Sequence, residues 1–395
     1  MAQCAAKLGV ERFIIDDGWF KGRHDDLAAL GDWYIDEGKY PQGLTPVIDA
    51  VNALGMEFGI WVEPEMINVN SDLYRAHPDW ALGLDDYPKL TGRNQLLLDL
   101  TNEDVYQFIL ERMVWLLQSH NISYVKWDFN RDVVQAGHAG HPSLVRQTQQ
   151  MYRLFDQLNA QFPHVEFESC ASGGGRIDYE MLKRCKRFWA SDNNDALERQ
   201  QIQRGMSYFF PPEVMGAHIG GAPCHATSRN HSINFRGLTA LFGHMGVELD
   251  PVKSDTEEQQ GFTRYIALHK QLRPLLHSGN AFRLDTPDNT LLVNGVKAND
   301  LSEAVVLISQ LTLPEYALSG TLRIPGLAQN TLYTITVLDM PDSFHNEKNH
   351  TMKKYPVWLK QEIMLTGEWL GKVGLAMPIL DPESAILIGI KNDMK

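Results

Sequence analysis

Seven short apolar runs, at residues 12–19, 58–65, 124–131, 165–171, 187–192, 213–218 and 246–250, each lead into polar or glycine positions. They are of strand length and rich in β-branched and aromatic side chains. Stretches of helical period separate them. Val47, Ile48, Val51 and Leu54 form one apolar stripe behind Thr45 and Pro46, a cap and a first-turn proline, with Gly55 as its stop. Val105, Phe108, Ile109, Met113, Leu116 and Leu117 form a second, behind a Thr101/Asp104 capping box. Leu144, Thr148, Met151, Phe155 and Leu158 form a third. Shorter helices are expected around 179–185, 196–208 and 234–242, and Ser254 with Glu257 opens a long one reaching about Leu275. Residues 96–100 are β-like but stand outside the main series.

Strands alternating with helices, with polar groups collected at strand ends, predict a parallel α/β fold, most simply a (β/α)8 TIM-type barrel. Seven core strands are visible after an opening helix that Gly9 ends. A closed barrel of this type has eight, so the first strand would precede Met1. From about Ala281 the pattern becomes β-rich, at 291–293, 304–309, 321–324, 331–338 and 384–390, with turn residues at 299–300 and 325–326. The expected organisation is therefore a catalytic barrel over 1–280, truncated at its N-terminus, and a C-terminal antiparallel β-sandwich over 281–395. Residues 342–355 are polar and read as an exposed loop.

Reactive residues of such barrels sit at the carboxyl ends of strands. Asp16, Asp17, Glu63, Asp128, Cys170 and Asp192 all fall there. Lys126, Asp128 and Asn130 occupy alternate positions and would share one face of a strand. Cleaving a glycoside needs one carboxylic acid to protonate the leaving oxygen and one carboxylate to attack carbon or activate water. Asp128, beside the cation Lys126, suits the ionised role. Asp192 lies among Trp189, Ser191, Asn193 and Asn194, with no adjacent cation, and suits the proton donor. Strand-end acids equally well cap helices or hold a metal. A metal-dependent barrel lyase with Glu63, Glu65 and Asp128 as ligands is the corresponding alternative. Asp16 and Asp17 fit either a divalent cation or neighbouring sugar hydroxyls. Trp19, Trp61, Trp127 and Trp189 lie close to these points and suit the C–H faces of a sugar, or simply the core.

Residues 172–176 (Ser-Gly-Gly-Gly-Arg) lack the spacing of a phosphate loop and read as a close backbone approach to a ligand. His218, His225, His231 and His244 show no zinc spacing. A net charge of −13 argues against nucleic acid and anionic membranes as partners. Four cysteines without metal-type spacing, and neither a signal peptide nor an apolar span, favour a reducing, cytoplasmic location.

Six motifs in order, at residues 14–20, 59–66, 92–95, 124–131, 168–176 and 189–192, resemble glycoside hydrolase family 36, nearest to bacterial α-galactosidases acting on raffinose and melibiose. The resemblance covers essentially the whole chain. It implies a retaining exo-α-galactosidase in which Asp128 is the nucleophile and Asp192 the acid/base. It further implies that Asp16 and Asp17 bind galactose hydroxyls, and that Trp61, Arg93, Lys126, Asn130, Cys170, Gly173 and Trp189 line the pocket. No metal or organic cofactor is implied. The partner is an α-galactoside oligosaccharide, and a homo-oligomer is possible in the family. The family pattern also implies an N-terminal β-sandwich and a first barrel strand before Met1. Their absence motivates the alternative of a non-catalytic galactoside-binding remnant. A related α-N-acetylgalactosaminidase or galactosyl transferase is the other alternative.

Overall fold

In the first of two units, Met1–Asp192, each apolar run becomes a strand and the helical stripes face inward except at their ends, where Leu54 and Leu144 are exposed. The computed structural model describes residues 1–84, 86–138, 140–286, 288–316, 320–341 and 355–392. All of the expected polar loop except Tyr355 lies outside the described residues. The elements of the first unit are α1 (Ala2–Leu8), β1 (Arg12–Ile15), α2 (Thr45–Ala53), β2 (Glu57–Val62), β3 (Met66–Asn68), α3 (Asp72–Ala76), β4 (Gln95–Leu97), α4 (Glu103–Ser119), β5 (Tyr124–Trp127), β6 (Gly137–His138), β7 (His141–Pro142), α5 (Leu144–Gln161), β8 (Glu166–Ser169), α6 (Tyr179–Leu182) and β9 (Arg187–Trp189). Its main sheet runs β1-β2-β5-β8-β9, with every neighbouring pair parallel. The stretch around Leu96 indeed stands apart: β4 pairs antiparallel with β3 in a separate ribbon.

Helix starts differ in detail from the sequence reading. Leu44 is the N-cap of α2, without a side-chain bond, and Thr45 already lies inside the helix with Pro46 in its first turn. Proline lacks one of the N–H groups a cap would satisfy. Asn102, not Thr101, caps α4 by accepting the Asp104 N–H. The Thr101 hydroxyl turns back to Asp99 at 2.6 Å. The helices then bury their stripes against the sheet. Phe155 of α5 meets Trp127 of β5 at 4.6 Å between ring centroids and Phe167 of β8 at 5.5 Å. Full burial of one such side chain is worth about 1.5–3 kcal/mol.

The two ends of the sheet carry different chemistry. At the amino end, Arg12 of β1 donates to Glu57 of β2 at 2.7 Å and to Glu166 of β8 at 3.1 Å. Arg187 of β9 donates to Glu166 at 2.6 Å, and Arg12 lies 4.4 Å over the Tyr124 ring of β5. These charges pair with one another across five strands and tie the sheet together. The acids at the carboxyl end are the ones left for ligand chemistry, the division of labour expected of such sheets.

The second unit, Asn193–Lys395, begins with α7 (Ala196–Met206), β10 (Met215–Gly220), α8 (Ile233–Ala240), β11 (His244–Glu248) and α9 (Thr256–Leu276). β10 and β11 pair in parallel. Asp255 rather than Ser254 caps α9, accepting from Glu258 N–H. Then follow β12 (Asn280–Leu284), β13 (Leu291–Lys297), β14 (Glu303–Gln310), β15 (Thr321–Leu322), β16 (Leu332–Asp339), β17 (Ile363–Thr366), α10 (Gly367–Lys372), β18 (Leu375–Ala376) and β19 (Ser384–Lys391). A six-stranded antiparallel sheet runs β12-β13-β14-β19-β16-β17, and β15 pairs with β18. Val293, Val306, Ile386 and Ile388 share one core with Leu322, Leu370 and Leu375, so the two layers pack as a β-sandwich does. Among the described residues, no helix is long and apolar enough to cross a membrane.

Candidate active site

β5 presents Asp128 just past its last residue. The Asp128 N–H still bonds to the Val62 carbonyl of β2 at 2.8 Å, so its backbone is fixed as firmly as the strand. Its carboxylate is 6% exposed. Oδ2 accepts the indole N–H of Trp61 at 3.0 Å, and Oδ1 accepts the Phe129 N–H at 2.8 Å. Burial works against its charge. Bonds from Asn130, Trp61 and Cys170, and the nearby Lys126 ammonium, outweigh burial and hold the carboxyl below its usual range. A buried carboxylate kept ionised at the end of a rigid strand is equipped to attack an electrophilic carbon.

Lys126 does more than serve Asp128. Its ammonium bonds Asp16 at 3.0 Å. Burial opposes its charge, but Asp16, together with Glu168 and Asp128, keeps it protonated. Asp16 is well exposed, with 61% of its side chain open. Asp17 is pinned by Arg23, whose Nε and Nη2 lie at 3.0 and 2.8 Å from its carboxylate. Arg23 is itself buried and donates to the Ala28 carbonyl at 2.8 Å. The pair therefore offers one carboxylate held by a partly buried lysine and one held in a bidentate arginine fork.

Asp192 is exposed just past β9. Its Oδ1 accepts the indole N–H of Trp189 at 3.1 Å. The backbone on which it sits rests on the glycine turn that follows β8. Gly173 has φ +81°, and a Cβ there would lie 2.7 Å from Ser191 Cα and 2.9 Å from Asp192 N. At Gly174 it would lie 2.5 Å from the Ala190 carbonyl oxygen. The turn is thus moulded against residues 190–192, and only glycine fits. Ser172 at its start donates to the Asn130 side chain at 3.3 Å, which links it to the Asp128 segment. Cys170 feels both carboxylates: burial pushes its thiol up, and Asp128, then Asp192, add to the shift.

The strand-end tryptophans are less exposed than sugar-stacking surfaces would be. Trp19, Trp61, Trp127 and Trp189 are 0%, 2%, 0% and 1% exposed. Their N–H groups do the visible work. Trp61 holds Asp128, Trp189 holds Asp192, Trp127 holds Glu65 at 2.9 Å, and Trp19 holds the Trp61 carbonyl at 2.8 Å.

Among the described residues, no group of three acids, histidines or cysteines could hold a metal ion, the set Glu63, Glu65 and Asp128 included. Glu65 accepts Trp127 and the Arg176 guanidinium, the latter at 2.8 Å. Glu63 accepts the Asn130 N–H and faces the Gln95 amide, while Asp128 faces the donors named above. N–H groups already occupy both Asp128 oxygens and one oxygen each of Glu63 and Glu65. Arg93 is exposed, in a turn with φ +50°, and its charge acts on Glu63. Arg23 and Arg176 gave no strong sequence signal as site supports, since a buried or half-buried arginine in a loop has no local pattern. Among the histidines, His231 is buried between Asp195 at 3.2 Å and Glu383 at 3.1 Å, and His218 bonds Glu248 at 2.9 Å, both in the second unit.

Comparison with known proteins gives this geometry its context. The family model described as Melibiase matches residues 1–279. An α-galactosidase from Escherichia coli is 61% identical over 393 residues, which is 99% of this chain and 56% of that protein. The α-galactosidase AgaA from Geobacillus stearothermophilus is 42% identical over 343 residues, covering 85% of this chain and 47% of the other. A crystal structure of a GH36 α-galactosidase AgaA variant from the same organism, in complex with raffinose, superposes with a TM-score of 0.89 at 36% identity, covering 99% of this chain and 52% of that one. The chain thus spans about half the length of the curated relatives it matches. The structural matches support the barrel-type α/β fold followed by a β-domain.

Proposed function

The chain belongs to the Melibiase family, and from that premise we propose that it is a retaining exo-α-galactosidase acting on oligosaccharides of the raffinose and melibiose kind. The observation that carries the reading is the pair of strand-end carboxylates, each bonded by the indole N–H of a buried tryptophan and both acting on the Cys170 thiol. Asp128 attacks the anomeric carbon as the C1–O bond to the aglycone breaks. Asp192 gives its proton to the departing oxygen. In the second step Asp192, now a carboxylate, takes a proton from water, whose oxygen attacks C1 and expels the Asp128 carboxylate. Two inversions leave galactose with its α configuration. Asp16 and Asp17 accept bonds from galactose hydroxyls, with Lys126 and Arg23 fixing their positions. Arg93 lies at the rim, and Asn130, Cys170 and Gly173 shape the pocket floor. Raffinose bound to the AgaA variant supports an oligosaccharide substrate. Free Cys4, Cys170, Cys185 and Cys224 support a reducing, cytoplasmic setting.

The test is release of p-nitrophenol from the α-galactoside by the purified chain, with and without EDTA, together with the Asp128→Ala variant. We expect chelator-independent turnover that falls about 10⁴-fold or more in the variant. Galactose binding without turnover by the native chain would favour a binding remnant. Loss of activity on chelation would overturn the cofactor-free mechanism, and an active Asp128→Ala variant would overturn the nucleophile assignment.

A further inference from the structure

Glu63 lies directly after β2, and is 1% exposed. It puts a third carboxyl group next to the nucleophile, and the mechanism above does not use it. One of its oxygens accepts the backbone N–H of Asn130, two residues beyond Asp128. The other lies 3.3 Å from the Gln95 amide of β4. Gln95 is equally buried, and its Oε1 bonds to no described residue. A half-turn of that amide exchanges its oxygen and nitrogen. The carbonyl oxygen then faces Glu63 at the same distance and can accept a proton from it.

Two carboxyl groups in one buried site do not both ionise freely; the one with more donors takes the charge. Asp128 has the Trp61 indole, the Phe129 N–H, Asn130, Cys170 and Lys126. Glu63 has the Asn130 N–H, a share of the Asn130 side chain and Gln95, with Arg93 as the cation acting on it and Asp128 as the opposing anion. The donor sets are unequal, and they favour Asp128 as the anion. We propose that Glu63 is a neutral, protonated positioning residue: it donates to Gln95, holds the Asn130 backbone, and leaves Asp128 as the sole anion of the pair. Burial, then Asp128, pushes the Glu63 carboxyl up to about 8, against the pull of Asn130 and Arg93. Ionisation of Glu63 in alkali then places a second negative charge beside the nucleophile and draws the Asn130 amide away from it.

This inference rests on the α-galactosidase reading, but its test is partly independent of it. The first measurement is an infrared difference spectrum of the native chain between about pH 6 and about pH 10. A protonated-carboxyl band lost in alkali, and missing from Glu63→Gln, is expected. It should shift in Gln95→Met, which reports even if Glu63→Gln fails to fold. The absence of such a band overturns the proposal whether or not the chain turns over substrate. The second measurement is the pH profile of kcat/KM with α-galactosyl fluoride, whose leaving group needs no proton. Replacing a neutral acid by a neutral amide leaves the acid limb, set by Asp128, in place and moves the alkaline limb upward. A downward shift of the acid limb by about one unit or more would mean that Glu63 had been an anion and would refute the proposal. Glu63→Ala, which orphans the Asn130 N–H, should lose kcat by at least about tenfold more than Glu63→Gln. Equal losses would remove the positioning role.

Discussion

Gly173→Ala isolates the contact between the glycine turn and the segment of the proposed acid/base, Asp192. The new methyl would lie 2.7 Å from Ser191 Cα and 2.9 Å from Asp192 N. Carbon atoms rest about 3.5–4.0 Å apart, so the turn and the 190–192 segment must separate by close to 1 Å. Neither neighbour is the end of a flexible side chain; both are backbone. The left-handed φ of +81° adds about 1–2 kcal/mol for any residue with a Cβ. A misplacement of about 1 Å in a catalytic group costs on the order of 10²-fold in rate. On the proposed mechanism, the expected result is a kcat about 10²-fold lower on raffinose, whose sugar leaving group would need the proton of Asp192. The loss on α-galactosyl fluoride should be clearly smaller, because that leaving group needs none. Denaturant melts should show about 1–3 kcal/mol of destabilisation. Gly205→Ala, in α7 where a Cβ meets nothing within 4 Å, is the control and should be neutral or slightly stabilising. If Gly173→Ala keeps kcat on raffinose within about twofold, or loses equally on both substrates, the turn does not position Asp192.

Arg176→Met leaves the buried Glu65 carboxylate without its cation, which should cost about 3–5 kcal/mol in urea melts. Adding Glu65→Gln should restore part of that loss, and strictly additive effects would show that the pair is not coupled. Glu63 makes stability itself depend on pH. Its folded pKa of about 8 stands above the ordinary 4.5. The contribution is therefore complete below about pH 4.5 and is lost as pH rises through about 8, amounting to roughly 5 kcal/mol at most. Glu63→Gln should be less sensitive than the native chain between about pH 5 and about pH 9, and parallel pH–stability curves would contradict this.

The strands and long helices were legible because each rests on a periodic pattern that packing reinforces. Strand-end acids were legible for the same reason: Asp128 and Asp192 interrupt apolar runs at the point where a parallel sheet presents its residues. Helix starts were not. Thr101 and Ser254 are good caps by type, yet Asn102 and Asp255, one position later, take the bonds, because the chain's direction into each helix decides which side chain reaches N2 or N3. β12, β17 and β18 escaped notice because they are short or half exposed and gain their order from the neighbours they pair with. The supports of the site were the least legible. Arg23 reaches Asp17 six residues away, but Arg176 and Glu65 are separated by 111 positions, and no local pattern announces such a pair.

Lys126 shows how far sequence proximity can mislead about cause. Its place two residues before Asp128 suggested that its charge holds the nucleophile ionised. In the structure its closest carboxylate is Asp16, and its influence on Asp128 ranks behind Asn130, Trp61 and Cys170. Neutral hydrogen-bond donors solvate the anion instead, which would suit the proposed nucleophile, a carboxylate that gives up charge to carbon. A lysine bonded directly to Asp128 would stabilise the resting anion more than the partly bonded transition state and raise the barrier. Trp61 and Asn130 hold Asp128 without that penalty, and they leave Lys126 free to fix Asp16, where a permanent charge would serve the proposed binding of hydroxyls. On the proposed mechanism, the division places neutral donors at the reacting atom and full charges at the binding groups.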